Sequence, residues 1–181
     1  MKGLMVLSHG VEDVEALATR ALLIRAGFEI KTVSLEASLI IKTSYNLEVT
    51  SNLNVSEVNV DEYDFIIVPG GPYVAKTIDH NDAMLKLITQ FHNKGKVIAA
   101  ICAGPRFLGR ANLLNKVKYT AYPGSEIDAQ DGYYMKDHKA YTDGKIITAK
   151  GAGTVYAFVY EIVKYFKGKN QAEALLKNIQ H

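Results

Sequence analysis

The chain predicts an α/β fold, a three-layer sandwich in which a mostly parallel sheet is covered by helices on both faces. Three observations predict it. Apolar runs of strand length recur at Leu4–Ser8, Phe65–Val68, Val97–Ile101 and Lys145–Ala149, largely without the alternation of a half-exposed strand. Segments with helical spacing separate these runs. The links are short, as in parallel strands joined by crossover helices.

Taken in order, Leu4–Ser8 is a first strand. Asp13 caps a helix with apolar positions at Val14, Leu17, Ala18, Ala21 and Leu22, which runs to Ala26 and stops at Gly27. Phe28–Leu35 is a second strand, and Leu39–Val49 is an excursion of two short strands about Tyr45-Asn46. Phe65–Val68 ends abruptly in Pro69-Gly70-Gly71-Pro72. A helix follows over Asn81–Lys94, carried by Met84, Leu85, Leu87, Ile88 and Phe91 and closed by Gly95. After Val97–Ile101, Ala103-Gly104-Pro105 opens another helix, with Pro105 where a missing N–H costs least. The tyrosine-rich stretch to Asp143 predicts a hairpin around Tyr133-Tyr134 and Ala140-Tyr141. Lys145–Ala149 is the last strand. Gly151–Thr154 starts a long helix through Phe166, and Asn170 caps a final one through Ile179. No linker or repeat interrupts the pattern, so residues 1–181 read as a single domain.

Composition narrows the function classes. A formal charge of +2 with scattered lysines gives nucleic-acid binding no support. One cysteine cannot form an internal disulfide, and the opening apolar stretch is too short for a signal peptide or membrane span. The expectation is a cytoplasmic protein with no membrane partner. No spacing of His, Cys, Asp and Glu suggests a metal site, and no nucleotide fingerprint suggests a cofactor.

The chemistry gathers at strand ends. In an open parallel sheet, ligands bind outside the carboxyl ends of the strands. Cys102 occupies the sharp turn between the Val97–Ile101 strand and its helix, where free N–H groups and the helix dipole favour thiolate. Reactive cysteines in such places have pKa values of roughly 3.5–7.5. The N–H groups of Gly71 and Ala103 are candidates for an oxyanion hole, with Gly70 beside them. Glu15, among Val14, Ala16 and Leu17, faces desolvation that raises its pKa and lets it move a proton. Glu12 reads as a solvated charge. His9 is a candidate base from the first strand's end. Gly151-Ala152-Gly153-Thr154 reads as a close-packed turn rather than a phosphate cradle, because it lacks the third glycine.

Together these residues resemble the DJ-one/ThiJ/PfpI superfamily, on its parkinsonism-associated deglycase-like branch. The resemblance rests on Gly10-Val11-Glu12-Asp13-Val14-Glu15, Arg25-Ala26-Gly27, Tyr63–Gly71, Ala99–Pro105 and Ile147–Thr154, in that order along the chain. It implies a flavodoxin-like sandwich, a homodimer, and Cys102 as nucleophile or redox centre. It implies a protonated Glu15 hydrogen-bonded to the sulfur, and oxyanion donors at Gly71 and Ala103. The implied activities are a cofactor-independent glyoxalase, converting methylglyoxal to lactate, and deglycase repair of early glyoxal adducts on proteins. Redox sensing and chaperone-like behaviour are also implied. Three positions depart from the family. Ala103 stands where the intracellular-protease branch has histidine, which disfavours peptidase activity. Tyr122 stands where many relatives carry a histidine, and Tyr45 where a family arginine reaches the pocket. Two tyrosines in place of basic groups predict weaker retention of oxidised sulfur and a preference for small neutral carbonyls.

Overall fold

The computed structural model describes residues 1–129 and 131–181. The chain opens with β1 (Lys2–Leu7), passes through a π-helical turn (Val14–Ala18) into α1 (Thr19–Arg25), and returns as β2 (Glu29–Ser34). A hairpin of β3 (Ile40–Lys42) and β4 (Glu48–Thr50) stands outside the main sheet, and β5 (Leu53–Asn54) rejoins it. Next come β6 (Phe65–Val68), α2 (Pro72–Thr77), α3 (Asp82–Asn93), β7 (Val97–Ile101) and α4 (Pro105–Arg110). The remainder carries β8 (Lys118–Tyr119), β9 (Tyr133–Tyr134), β10 (Ala140–Asp143), β11 (Ile146–Ala149), α5 (Val155–Lys167) and α6 (Lys169–Asn178).

The main sheet has seven strands in the order β10-β11-β7-β6-β1-β2-β5, parallel except for β10 at one edge. Every residue of β6, β7 and β11 is buried, which is why their sequences run apolar without alternation. α1 packs on α5, which also covers β10 and β11, while α3 packs on α4, β6 and β7. This is the flavodoxin-like sandwich expected. The chain winds from β1 to β2 on one side and from β6 outward on the other, so strand order reverses between β1 and β6. The crevice beyond their carboxyl ends is therefore the place where such a sheet offers a site. Among the described residues, no helix is long and apolar enough to cross a membrane.

Four expectations need correction. Asp13 does not cap the first helix: its own backbone is helical (φ −63°, ψ −52°). Its carboxylate instead accepts from Thr43 Oγ1 at 2.7 Å and Tyr45 N–H at 3.2 Å, tying the β3–β4 loop to the helix start. Glu12 takes the capping role, its Oε2 accepting the Glu15 N–H at 2.7 Å. The π-helical turn also rotates the buried face. Val14 is 48% exposed, while Glu15, Ala16, Thr19 and Leu23 point inward.

The predicted hairpin between Tyr133-Tyr134 and Ala140-Tyr141 does not form. β9 pairs in parallel with β8, and β10 pairs with β11 across Gly144, whose φ of +55° the tight turn requires. Asn170 lies inside α6. The junction is made by Gly168 (φ +86°), which ends α5 and precedes the first residue of α6. Between Gly71 and Asn81, where the sequence reading places no element, the chain forms α2, with Pro72 in its first turn.

Candidate active site

Cys102 follows the last residue of β7 and has φ +63°, a left-handed conformation that costs a residue with a Cβ roughly 1–2 kcal/mol. Two hydrogen bonds impose it: Cys102 N–H donates to Ala149 O at 2.9 Å, and Tyr122 N–H donates to Cys102 O at 2.8 Å. The following turn is equally tight, since a Cβ on Gly104 would lie 2.4 Å from Val68 O. Strain of this kind persists where surrounding bonds over-determine the backbone, and it aims a side chain that an ordinary turn would not. With the thiol absent from both, Cys102→Gly is expected to be more stable than Cys102→Ala by about 1 kcal/mol. Denaturant midpoints of the two variants check this.

Glu15 is 1% exposed and comes from the π-helical turn after β1. Gly70 N–H donates to its Oε2 at 2.8 Å, and the Ala152 N–H and the Cys102 thiol also bond it. Burial raises its pKa from 4.5 to about 6, against the lowering effect of those hydrogen bonds. Only glycine fits at position 70. A Cβ there would meet Cys102 Cβ at 2.7 Å, Glu15 Oε2 at 2.8 Å and Ala103 N at 2.9 Å.

The thiol does not show the depressed pKa expected from its position. Burial pushes the Cys102 thiol up, the Glu15 carboxylate pushes it further, and the Ala103 N–H directed at the sulfur opposes them. Sulfur and carboxyl are hydrogen-bonded, and each shifts the other's titration.

The pair opens into a cleft of about 520 Å³ bordered by Glu12, Tyr45, Tyr122, Lys150 and the Gly151–Thr154 turn. Tyr45 and Tyr122 are 75% and 56% exposed and stand at its mouth. A Cβ on Gly151 would lie 3.7 Å from Cys102 Sγ and from Tyr122 Cδ2, so this glycine keeps the sulfur accessible. The Gly151 N–H donates to Thr154 Oγ1 at 3.0 Å, and the Ala152 N–H is used by Glu15. Neither N–H is left for a phosphate, in keeping with a close-packed turn.

Gly71 (φ +122°) packs against the Gly10–Glu12 backbone, where a Cβ would lie 2.4 Å from Gly10 O, and its N–H has no acceptor among the described residues. His9 is not part of this cleft. It faces a neighbouring depression with Lys42 and Lys76, and its Nδ1 accepts the Lys42 N–H at 3.0 Å. The turn at Gly10 carries it there. Lys150 is the cleft residue to which sequence reasoning gave no role. Among the described residues, no group of three or more His, Cys, Asp or Glu is placed to hold a metal ion.

The sandwich has counterparts in known proteins. The chain is 31% identical over 169 residues to deglycase PfpI of Pyrococcus furiosus, covering 92% of this chain and all of that one. It is 27% identical over 177 residues to protein dj-1beta of Drosophila melanogaster, covering 97% and 95% of the two chains. The structure of oxidized DJ-1 from Toxoplasma gondii superposes with a TM-score of 0.89 at 28% identity, covering 99% of this chain and 98% of that one. Residues 1–165 match the DJ-1/PfpI family as a whole, and the chain belongs to that family.

Proposed function

We propose that the protein is a cysteine-dependent, cofactor-independent enzyme of reactive-carbonyl defence, acting on methylglyoxal, on early glyoxal adducts of proteins, or on both. The observation that carries this reading is the buried Cys102–Glu15 pair, in which a carboxyl with a pKa near 6 sits against the sulfur. The thiolate adds to the aldehyde carbon of methylglyoxal, and the carbonyl π pair becomes an alkoxide that takes the Glu15 proton. The Glu15 carboxylate then removes the hydrogen on C1. The electron pair passes through an enediol to C2, which is reprotonated, leaving a thioester. Water hydrolyses the thioester to lactate and restores the thiol. Oxidation at C1 is matched by reduction at C2, so no external electron acceptor is needed.

The Gly71 and Ala103 N–H groups hold the developing oxyanion, each worth roughly 2.7–4 kcal/mol in such sites. Relatives named as deglycases at 30–31% identity support the same reading. Ala103, where the protease branch has histidine, argues against peptide hydrolysis. A homodimer suits the exposed Leu39, Ile40 and Leu47 of the β3–β4 hairpin region, and the lone cysteine suits the cytoplasm. Lactate release from methylglyoxal by the purified protein and by Cys102→Ser tests the reading. Equal release from both overturns it.

A second reading, a redox sensor or chaperone-like stress protein, is favoured by one observation: Cys102 is half-buried and has no second cysteine to resolve a sulfenic acid. Mild peroxide is then expected to add two oxygens selectively at Cys102. Mass spectrometry of the treated protein checks this, and an unmodified Cys102 removes it.

A further inference from the structure

Two tyrosines at the mouth predict neutral substrates, yet the cleft is not neutral. Lys150 follows the last residue of β11, and the register Ala149↔Ile101 sets it beside Cys102 on the adjacent strand. Its backbone is held by a 3.0 Å bond from its N–H to Lys139 O, and its half-buried side chain lines the same cleft as the sulfur. The ammonium pairs with no carboxylate among the described residues. The two acids of the cleft are engaged elsewhere: Glu12 Oε2 accepts the Glu15 N–H, and Glu15 accepts from the Gly70 and Ala152 N–H groups. A cleft of about 520 Å³ is also several times larger than methylglyoxal needs.

We infer that Lys150 is a specificity-determining residue that makes the Cys102 cleft select carbonyl substrates carrying a carboxylate over neutral ones of similar size. This rests on the carbonyl-turnover reading for the identity of the substrate: a 2-oxoaldehyde whose chain ends in a carboxylate, such as 4,5-dioxopentanoate. The carboxylate pairs with the ammonium while the aldehyde carbon meets the sulfur. A charge-assisted contact of this kind, partly shielded from water, is strong enough to rank substrates.

The test uses two alkylating agents that differ in charge, iodoacetate and iodoacetamide, on the full chain at low salt. The ratio of their rates at Cys102 is expected to fall about tenfold in Lys150→Gln and to be retained in Lys150→Arg, with the difference shrinking as salt is raised. In parallel, kcat/KM for 4,5-dioxopentanoate relative to methylglyoxal is expected to fall by a similar factor in Lys150→Gln, mainly through KM. An unchanged alkylation ratio in Lys150→Gln overturns the inference. So does a fall that Lys150→Arg does not restore, or a Cys102 that neither reagent labels. Absence of turnover by the wild-type protein overturns the carbonyl reading alone, because the alkylation ratios need no turnover.

Discussion

Replacing Cys102 by serine is expected to reduce lactate formation from methylglyoxal by at least about a thousandfold, with little change in stability. The two side chains differ by one atom, and the backbone bonds to Ala149 and Tyr122 that hold the left-handed turn are untouched. What changes is the acid. A carboxyl with a pKa near 6 can exchange its proton with a thiol one bond away, but not usefully with an alcohol, whose anion is far more basic. The serine variant keeps the cleft, Lys150 and the candidate oxyanion donors, and so measures the nucleophile alone. A serine variant that retained turnover within tenfold would place the chemistry elsewhere, at His9 or in bound water. The same loss is expected with a glycated peptide as substrate, because both proposed reactions require the sulfur.

The fold was largely readable because its central strands are buried on both faces, and nothing but continuous apolar sequence survives there. β6 and β7 follow directly from Phe65–Val68 and Val97–Ile101, and β11 from Lys145–Ala149, beginning one residue later at Ile146. What escaped was set by tertiary contacts. The apolar positions Val14 and Leu17 suggest one buried face of the first helix. The face that is buried instead contains Glu15, because the π-helical turn shifts the phase and Gly70 and Ala152 supply the carboxyl with donors. Gly144 decides the last hairpin more firmly than the tyrosine pattern before it, since a two-residue turn needs a positive φ.

At the site, Cys102, Glu15 and Gly70 were legible as residue types at strand ends, and they do converge. His9 was a candidate by chemistry alone, and the turn at Gly10 carries it to another depression. Lys150 drew no attention, because a single lysine after a strand is ordinary. Only the register of β11 against β7 reveals its neighbour.

Glu15→Gln is expected to move the pH profile of Cys102 alkylation rather than merely scale it. In the wild-type protein burial and the Glu15 carboxylate both push the Cys102 thiol up, so alkylation rises only above the ordinary thiol value of about 8.5. Glutamine removes the negative charge beside the sulfur and leaves the burial and the Ala103 N–H, so the rise moves to lower pH. A glutamine profile that is unchanged, or moved upward, would show that the carboxylate does not hold the thiol's proton.

The same residue leaves a mark on stability, and its sign is fixed. Glu15 has its folded pKa raised above the unfolded 4.5, so its contribution is fully present below pH 4.5 and is lost as pH rises through about 6. At about 1.4 kcal/mol per unit, the loss is roughly 2 kcal/mol. Denaturant unfolding of wild type and Glu15→Gln at pH 4 and pH 7 should therefore diverge by about that amount, with the wild-type protein losing ground at the higher pH. A wild-type protein that held its ground at pH 7 would mean that the pair keeps its proton there, and that the sulfur is reactive only when substrate draws that proton away.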